Sequence, residues 1–237
     1  MIAQFETTQW TLILQASESE SPLGMQAMEQ LCRRYQPPLL AYARSFGLKE
    51  HDAQDMTQSF FQHLLEKNLP ARANPELGRF RSFLLVSLRN FMHVTHRNAT
   101  RERRGGPSSE HLSIEDELHQ LPESLITETS AANAFDRQWA HTLLQLSIDR
   151  LEVEQSAQGH ADRFALVRPL LLSTDARDEI IAALIRDHGM SDGSARTMLS
   201  RLRARFRDLV REEVARVVND PSEVDEEISY LLKALHA

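Results

Sequence analysis

The chain has 237 residues, 41% of them hydrophobic and 26% charged, and a formal net charge of −7 at pH 7. This balance excludes an intrinsically disordered protein, and 8 Gly with 9 Pro favours helix over a turn-rich all-β fold. The single cysteine, Cys32, excludes an intramolecular disulfide, no apolar run approaches the ~20 residues of a membrane span, and MIAQFETTQW lacks the basic region of a secretory signal, so a cytoplasmic location is expected.

In chain order, QWTLILQA (Gln9 to Ala16) is a short helical stretch with Thr7 or Thr8 as its cap. SESESPLG reads as a loop. Met28, Leu31, Tyr35, Leu39, Tyr42 and Phe46 recur at steps of three and four, which predicts a helix from Met25 to Phe46 that Pro37 and Pro38 should break or kink. A second helix runs from about His51 to Glu66, with Ala53, Met56, Phe60 and Leu64 inward. A third runs from about Arg79 to Arg103, with Phe80, Phe83, Leu84, Leu88 and Phe91 on one face. The stretch to about Ala134 reads as an acidic linker with a short helix near Ile114 to Leu118. Helical pattern resumes at Phe135 with Trp139, Leu143, Leu146 and Ile148, and again in RFALVRPLLL. A tail helix follows Asp220 as cap, Pro221 as first residue and Glu223 as capping-box acid, with Val224, Ile228, Leu231, Leu232 and Leu235 as its apolar face.

The expected fold is all-α, without repeats or strands: two helical domains joined by an acidic linker. The boundaries are an N-terminal extension (1–24), a first domain (25–105), the linker (106–134), a second domain (135–218) and a C-terminal helical extension (219–237). Residues 107–135 hold six acids and no Lys or Arg, and residues 219–237 hold five acids against one lysine. The rest of the chain is therefore slightly basic, and its positive charge is concentrated in two blocks.

One block is SARTMLSRLRARFR, residues 194–207, with five arginines and no acid. Before it, Ile180, Ile181 and Leu184 predict a helix ending at Gly189, which is free to take left-handed backbone angles. Ser191 can cap the next helix, whose Ala195, Met198, Leu199 and Leu202 face inward. Helix, tight turn, helix is the layout of a DNA-binding reading head. Arg196, Thr197, Ser200, Arg201 and Arg203 lie on or beside the groove-facing side, since arginine can bond guanine bidentately or neutralise phosphate. Arg205 and Arg207 lie further along, as phosphate contacts or solvated charge. The other block, Arg79 to Arg104, has seven arginines against Glu102. Its phenylalanines have core periodicity. The contact candidates for nucleic acid are therefore on its polar face: Asn90, His93, His96 and Arg97, with Arg89 beside them.

These segments, in this order, resemble extracytoplasmic-function (ECF) RNA polymerase sigma factors. FRSFLLVSLRNFMHVTHRNATRERR is similar to their region two, HDAQDMTQSFFQHLLEK to the part of it that docks on polymerase, and GMSDGSARTMLSRLRARFRDLVREE to their region-four helix-turn-helix. FETTQWTLIL and NDPSEVDEEISYLL resemble a subgroup with extended N- and C-termini. The resemblance implies that Asp52, Gln54, Asp55, Gln58 and Gln62 hold the clamp helices of core RNA polymerase. It further implies that Arg89, Asn90, His93, His96 and Arg97 engage the melted −10 element, and that Arg196, Thr197, Ser200, Arg201 and Arg203 read the −35 element of promoter DNA. Where relatives carry an acid facing the polymerase, this chain has Thr57 and Ser59, and phosphorylation of either would supply that charge. A protein kinase and an anti-sigma factor are the candidate regulatory partners; no cofactor, metal or membrane partner is expected.

His51, Asp52, Asp55 and His63, or His93 with His96, offer metal-ligand spacing, but no third ligand lies near the second pair, and no phosphate-binding glycine loop or nucleophile motif accompanies either. An enzyme is not expected. The alternative is a helix-turn-helix transcriptional regulator acting without core polymerase, which should bind duplex DNA tightly by itself.

Overall fold

Ser21 opens the first long helix. Its side chain accepts a hydrogen bond from the Gly24 N–H at 2.9 Å and Pro22 takes the first helical position, so α2 (Pro22–Ser45) begins inside the segment expected as loop. A computed structural model of the chain describes residues 9–18, 21–74, 76, 79–103, 125–173, 175–218 and 220–236. The expected caps Thr7 and Thr8 and the short helix near Ile114 to Leu118 lie outside these residues. Among the described residues the protein is all-helical, without strands.

Helix α1 (Gln9–Ser17) packs on α2 through Leu12, Ile13 and Ala16. Gly24 makes this approach possible: a Cβ at that position would lie 2.0 Å from the Glu18 carbonyl oxygen, which is backbone and cannot rotate away. Pro37 and Pro38 lie inside α2 without interrupting it, contrary to the expected break. Each removes an N–H donor, but Tyr35, Pro38, Leu39 and Tyr42 around them are all buried, and this packing holds the helix continuous.

Helix α3 (Glu50–Glu66) buries Ala53, Thr57, Phe60 and Leu64; α4 (Phe80–Arg103) buries Phe80, Leu84 and Leu88. The long helix α5 (Leu125–Ala157) starts ten residues inside the segment expected as linker. It is followed by α6 (Ala161–Val167), the 3-10 turn Arg168–Leu171, α7 (Arg177–His188) and α8 (Asp192–Ala215). After the 3-10 turn Pro221–Glu223, α9 (Val224–His236) ends the chain.

The chain divides into two compact units. Unit 1 is Met1–Ala140 with Val217–Asn219 and Ser229–Ala237, and unit 2 is His141–Arg216 with Asp220–Ile228. The division falls within α5 and within α9, and also on either side of Val217–Asn219, next to the boundary expected at 218/219. Phe135 and Trp139, expected in the second domain, are fully buried in unit 1, where the Trp139 ring stacks on Tyr35 at 4.8 Å and 3° while Phe80 meets Tyr35 edge-on at 5.5 Å. Aromatic pairs of this geometry add about 0.5–1.5 kcal/mol beyond area burial. The end of the tail, from Ser229, joins the same unit: Tyr230 donates its hydroxyl hydrogen to Asp136, and the Arg81 guanidinium lies 5.4 Å from the Tyr230 ring centre.

Unit 2 has its own core, in which Leu151 (α5), Phe164 and Val167 (α6), Leu184 (α7) and Leu199 and Phe206 (α8) pack together. Charge reinforces it. Arg150 donates to Glu213 at 2.9 Å and to Glu212 at 2.7 Å, while Arg205 bonds Glu154 at 2.7 Å and Glu212 at 2.9 Å.

Candidate nucleic-acid interface

The turn between α7 and α8 follows the sequence closely. Helix α7 ends at Gly189, whose φ of 62° is left-handed, and its N–H bonds the Leu184 carbonyl. Ser191 then accepts from the Ser194 N–H at 3.2 Å and starts α8. Ala195, Leu199, Leu202, Phe206 and Leu209 are buried, so α8 turns the opposite face outward. Thr197, Ser200 and Arg201 are exposed there, and Arg196 is exposed beside them with its Nε bonded to Asp192 at 2.7 Å. That bond holds the Asp192 carboxyl below its ordinary value.

The five arginines of this block have different surroundings. Arg203, expected among the DNA-contacting residues, turns inward. Its Nε and Nη2 donate to the Leu170 carbonyl at 3.0 and 2.8 Å, and Nη2 also donates to the Ser173 carbonyl at 3.2 Å. It caps the end of the Arg168–Leu171 turn at the Leu170 carbonyl and ties the residues just after it. Arg205, expected as a phosphate contact or solvated charge, is half-buried and bonded to Glu154 and Glu212, which offset its charge. Among the described residues Arg201 and Arg207 hold no ion pair or hydrogen bond.

In unit 1, α4 places His93, His96 and Arg97 on its exposed side, at the three- and four-residue spacing that aligns side chains on one helix face. Arg89 is half-buried. Asn90, expected on that face, is only 5% exposed and belongs to the packed side. Phe91, in keeping with its periodicity, lies against Phe60 at 5.8 Å and His63 at 5.1 Å. Burial, with Lys67 adding to it, lowers the His63 pKa despite the opposing pull of Glu66. The His63 ring is half-buried against phenylalanine rather than open to a ligand. Among the described residues no group of three or more His, Cys, Asp or Glu is placed to hold a metal ion.

Helix α3 exposes Asp52, Gln54, Asp55, Gln58 and Gln62. Gln54 is tied to Glu50 at 3.0 Å and Gln62 to Glu66 at 2.8 Å, both along the helix. Ser59 is exposed with them. Thr57 is not: it is 2% exposed, and its hydroxyl donates to the Ala53 carbonyl at 2.8 Å. The two hydroxyl residues are therefore not equivalent, and modification of Thr57 would require α3 to open.

Sequence reasoning missed Arg163. It lies on α6 and lines an open groove of about 660 Å³ with Gln155, His160, Ser194, Thr197 and Arg201. Its sequence signal was weak, because one arginine in an apolar stretch has no periodicity of its own.

The family model described as Sigma-70 region 2 matches residues 31–102, from within α2 to the end of α4 and under a third of the chain. Over these residues the chain is similar to region 2 of the sigma-70 family. Nothing among the curated proteins or the solved structures matches the chain. No helix among the described residues is long and apolar enough to cross a membrane.

Proposed function

We propose that the protein is a sigma factor of the extracytoplasmic-function type that binds core RNA polymerase and directs promoter-specific initiation. The observation that carries this reading is the region 2 match across α2, α3 and α4. Within it, the exposed row Asp52, Gln54, Asp55, Gln58 and Gln62 is the docking face for polymerase. His93, His96 and Arg97, flanked by Arg89, engage the melted −10 strand, where basic and ring side chains can contact phosphate and unstacked bases. In unit 2, α8 enters the major groove of the −35 duplex with Arg196, Thr197, Ser200 and Arg201. Arg203 holds the turn behind α8 and Asn90 packs α4; neither reads bases. Ser59 is the accessible site on α3 for a charge-adding modification. The acidic segments keep the free protein's nonspecific affinity for nucleic acid low, because such affinity follows the number of phosphates a protein neutralises.

The test is reconstitution of the full chain with core RNA polymerase on a genomic promoter library. Promoter-specific initiation that depends on the chain supports the reading. Tight, specific duplex binding without polymerase, and no initiation with it, overturns the reading in favour of a regulator acting alone.

A further inference from the structure

We infer that Arg163 on α6 pairs with Arg201 on α8 to seat backbone phosphates of one DNA strand. The inference rests on the proposal that unit 2 binds duplex DNA, and it adds a second element to that interface. It starts from the angular layout of α8. At ~100° per residue the side opposite Leu199, Leu202 and Phe206 is centred near Thr197, with Ser200 and Arg201 ~50° to either side of that centre. Arg196 and Arg201 flank that face, ~140° apart. A helix with its side chains is ~10–12 Å across and the major groove is ~12 Å wide. A helix lying in the groove therefore fills it, with its central residues at the base edges and its flanks at the two phosphate backbones.

The two flanks differ. On one, the Arg196 guanidinium is bonded to Asp192 at 2.7 Å, which offsets its charge. On the other, the surface continues from Arg201 across the groove to His160 and Arg163. Among the described residues neither Arg163 nor Arg201 holds an ion pair or a hydrogen bond. Arg205 also lines the groove, but Glu154 and Glu212 neutralise it. The uncompensated positive charge of the groove thus comes from two arginines on separate helices packed into one core, with Gln155, Ser194 and Thr197 as uncharged donors between them. Two cations facing one open, polar groove on the flank of α8 fit a line of phosphodiesters. The contact carries no base information: it sets the register and depth of α8 in the groove.

The experiment uses the full chain bound to core polymerase and a promoter fragment recovered in the reconstitution above, with binding measured between 50 and 200 mM salt. The variants are Arg163→Ala, Arg201→Ala and Arg177→Ala, the last being exposed, outside the groove and of the same charge change. Arg163→Ala and Arg201→Ala should each reduce the slope of log affinity against log salt by about 0.9, the amount for one phosphate contact, and weaken binding alike across −35 base variants. Between 50 and 200 mM salt this is a loss about 3-fold smaller than the parent's. Arg177→Ala should leave the slope unchanged. If Arg201→Ala lowers the slope and Arg163→Ala behaves like Arg177→Ala, the phosphate seat is overturned while the duplex reading of unit 2 stands. If no promoter fragment is recovered, or neither Arg196→Ala nor Arg201→Ala affects binding, the duplex reading falls and the seat falls with it.

Discussion

Replacing Arg203 separates structural arginine from DNA-contacting arginine within one helix. Its guanidinium makes three hydrogen bonds to two backbone carbonyls, at 3.0 and 2.8 Å to Leu170 and 3.2 Å to Ser173. A hydrogen bond involving a charged group contributes about 1.5–3 kcal/mol. Two of the three share one acceptor and the site is half-buried, so Arg203→Ala should destabilise unit 2 by roughly 2–3 kcal/mol. For a domain of 60–100 residues that corresponds to a fall of ~10–20 °C in its melting temperature. Calorimetry of the full chain, with amide exchange followed along α7 and α8, assigns the loss to unit 2. Arg201→Ala, at an exposed site with no ion pair or hydrogen bond among the described residues, should stay within about 0.5 kcal/mol of the parent while weakening promoter binding. Arg203→Lys should recover only part of the stability, since an ammonium cannot reproduce the planar fork that spans the two carbonyls. An Arg203→Ala protein that melts with the parent but loses promoter binding as Arg201→Ala does would refute the assignment.

Three further outcomes follow from the packing. Thr57→Asp places a carboxylate at a buried site on α3 and should destabilise unit 1 by several kcal/mol, whereas Ser59→Asp should be near neutral in urea denaturation and leave polymerase binding intact or stronger. Trp139→Ala should cost about 3–5 kcal/mol and expose amides of α2 and α4 to exchange first, because the ring stacks on Tyr35 in unit 1. On Glu212, burial works against the charged form, but hydrogen bonds from Arg205 and Arg150 outweigh it and hold the carboxyl below its ordinary value. A group whose folded pKa is depressed stabilises the fold above its unfolded pKa and loses that contribution as pH falls through the folded value. The stability of unit 2 should therefore fall with acidification below about pH 4.5, the unfolded value, and Glu212→Gln should flatten that loss in acid titration by circular dichroism.

Much of the local structure is legible in the sequence because it depends on neighbours within a turn or two. The three- and four-residue spacing of Phe80, Leu84 and Leu88 defines the buried side of α4, and Gly189 with Ser191 defines the turn before α8. Pro22 after Ser21 was an equally local signal for the start of α2, obscured by the Ser- and Glu-rich segment around it. The site was legible to the level of the helix face. What Arg203 meets was not: Arg201 and Arg203 are two positions, ~200°, apart on α8, and the carbonyls that hold Arg203 lie some thirty residues back in the chain.

By itself the sequence determined the helical class, the helix–turn–helix layout of α7 and α8, the exposed polar row on α3 and the concentration of basic charge in two blocks. These follow from periodicity, capping and charge, which act over a few residues. Only the tertiary structure decided that Phe135, Trp139 and Tyr230 join unit 1, that Thr57 and Asn90 are buried, and that Arg203 caps a distant turn while Arg163 faces the groove beside Arg201. The contacts of Trp139, Tyr230 and Arg203 are with residues tens of positions away, and local pattern carries no record of which distant surface a side chain will meet.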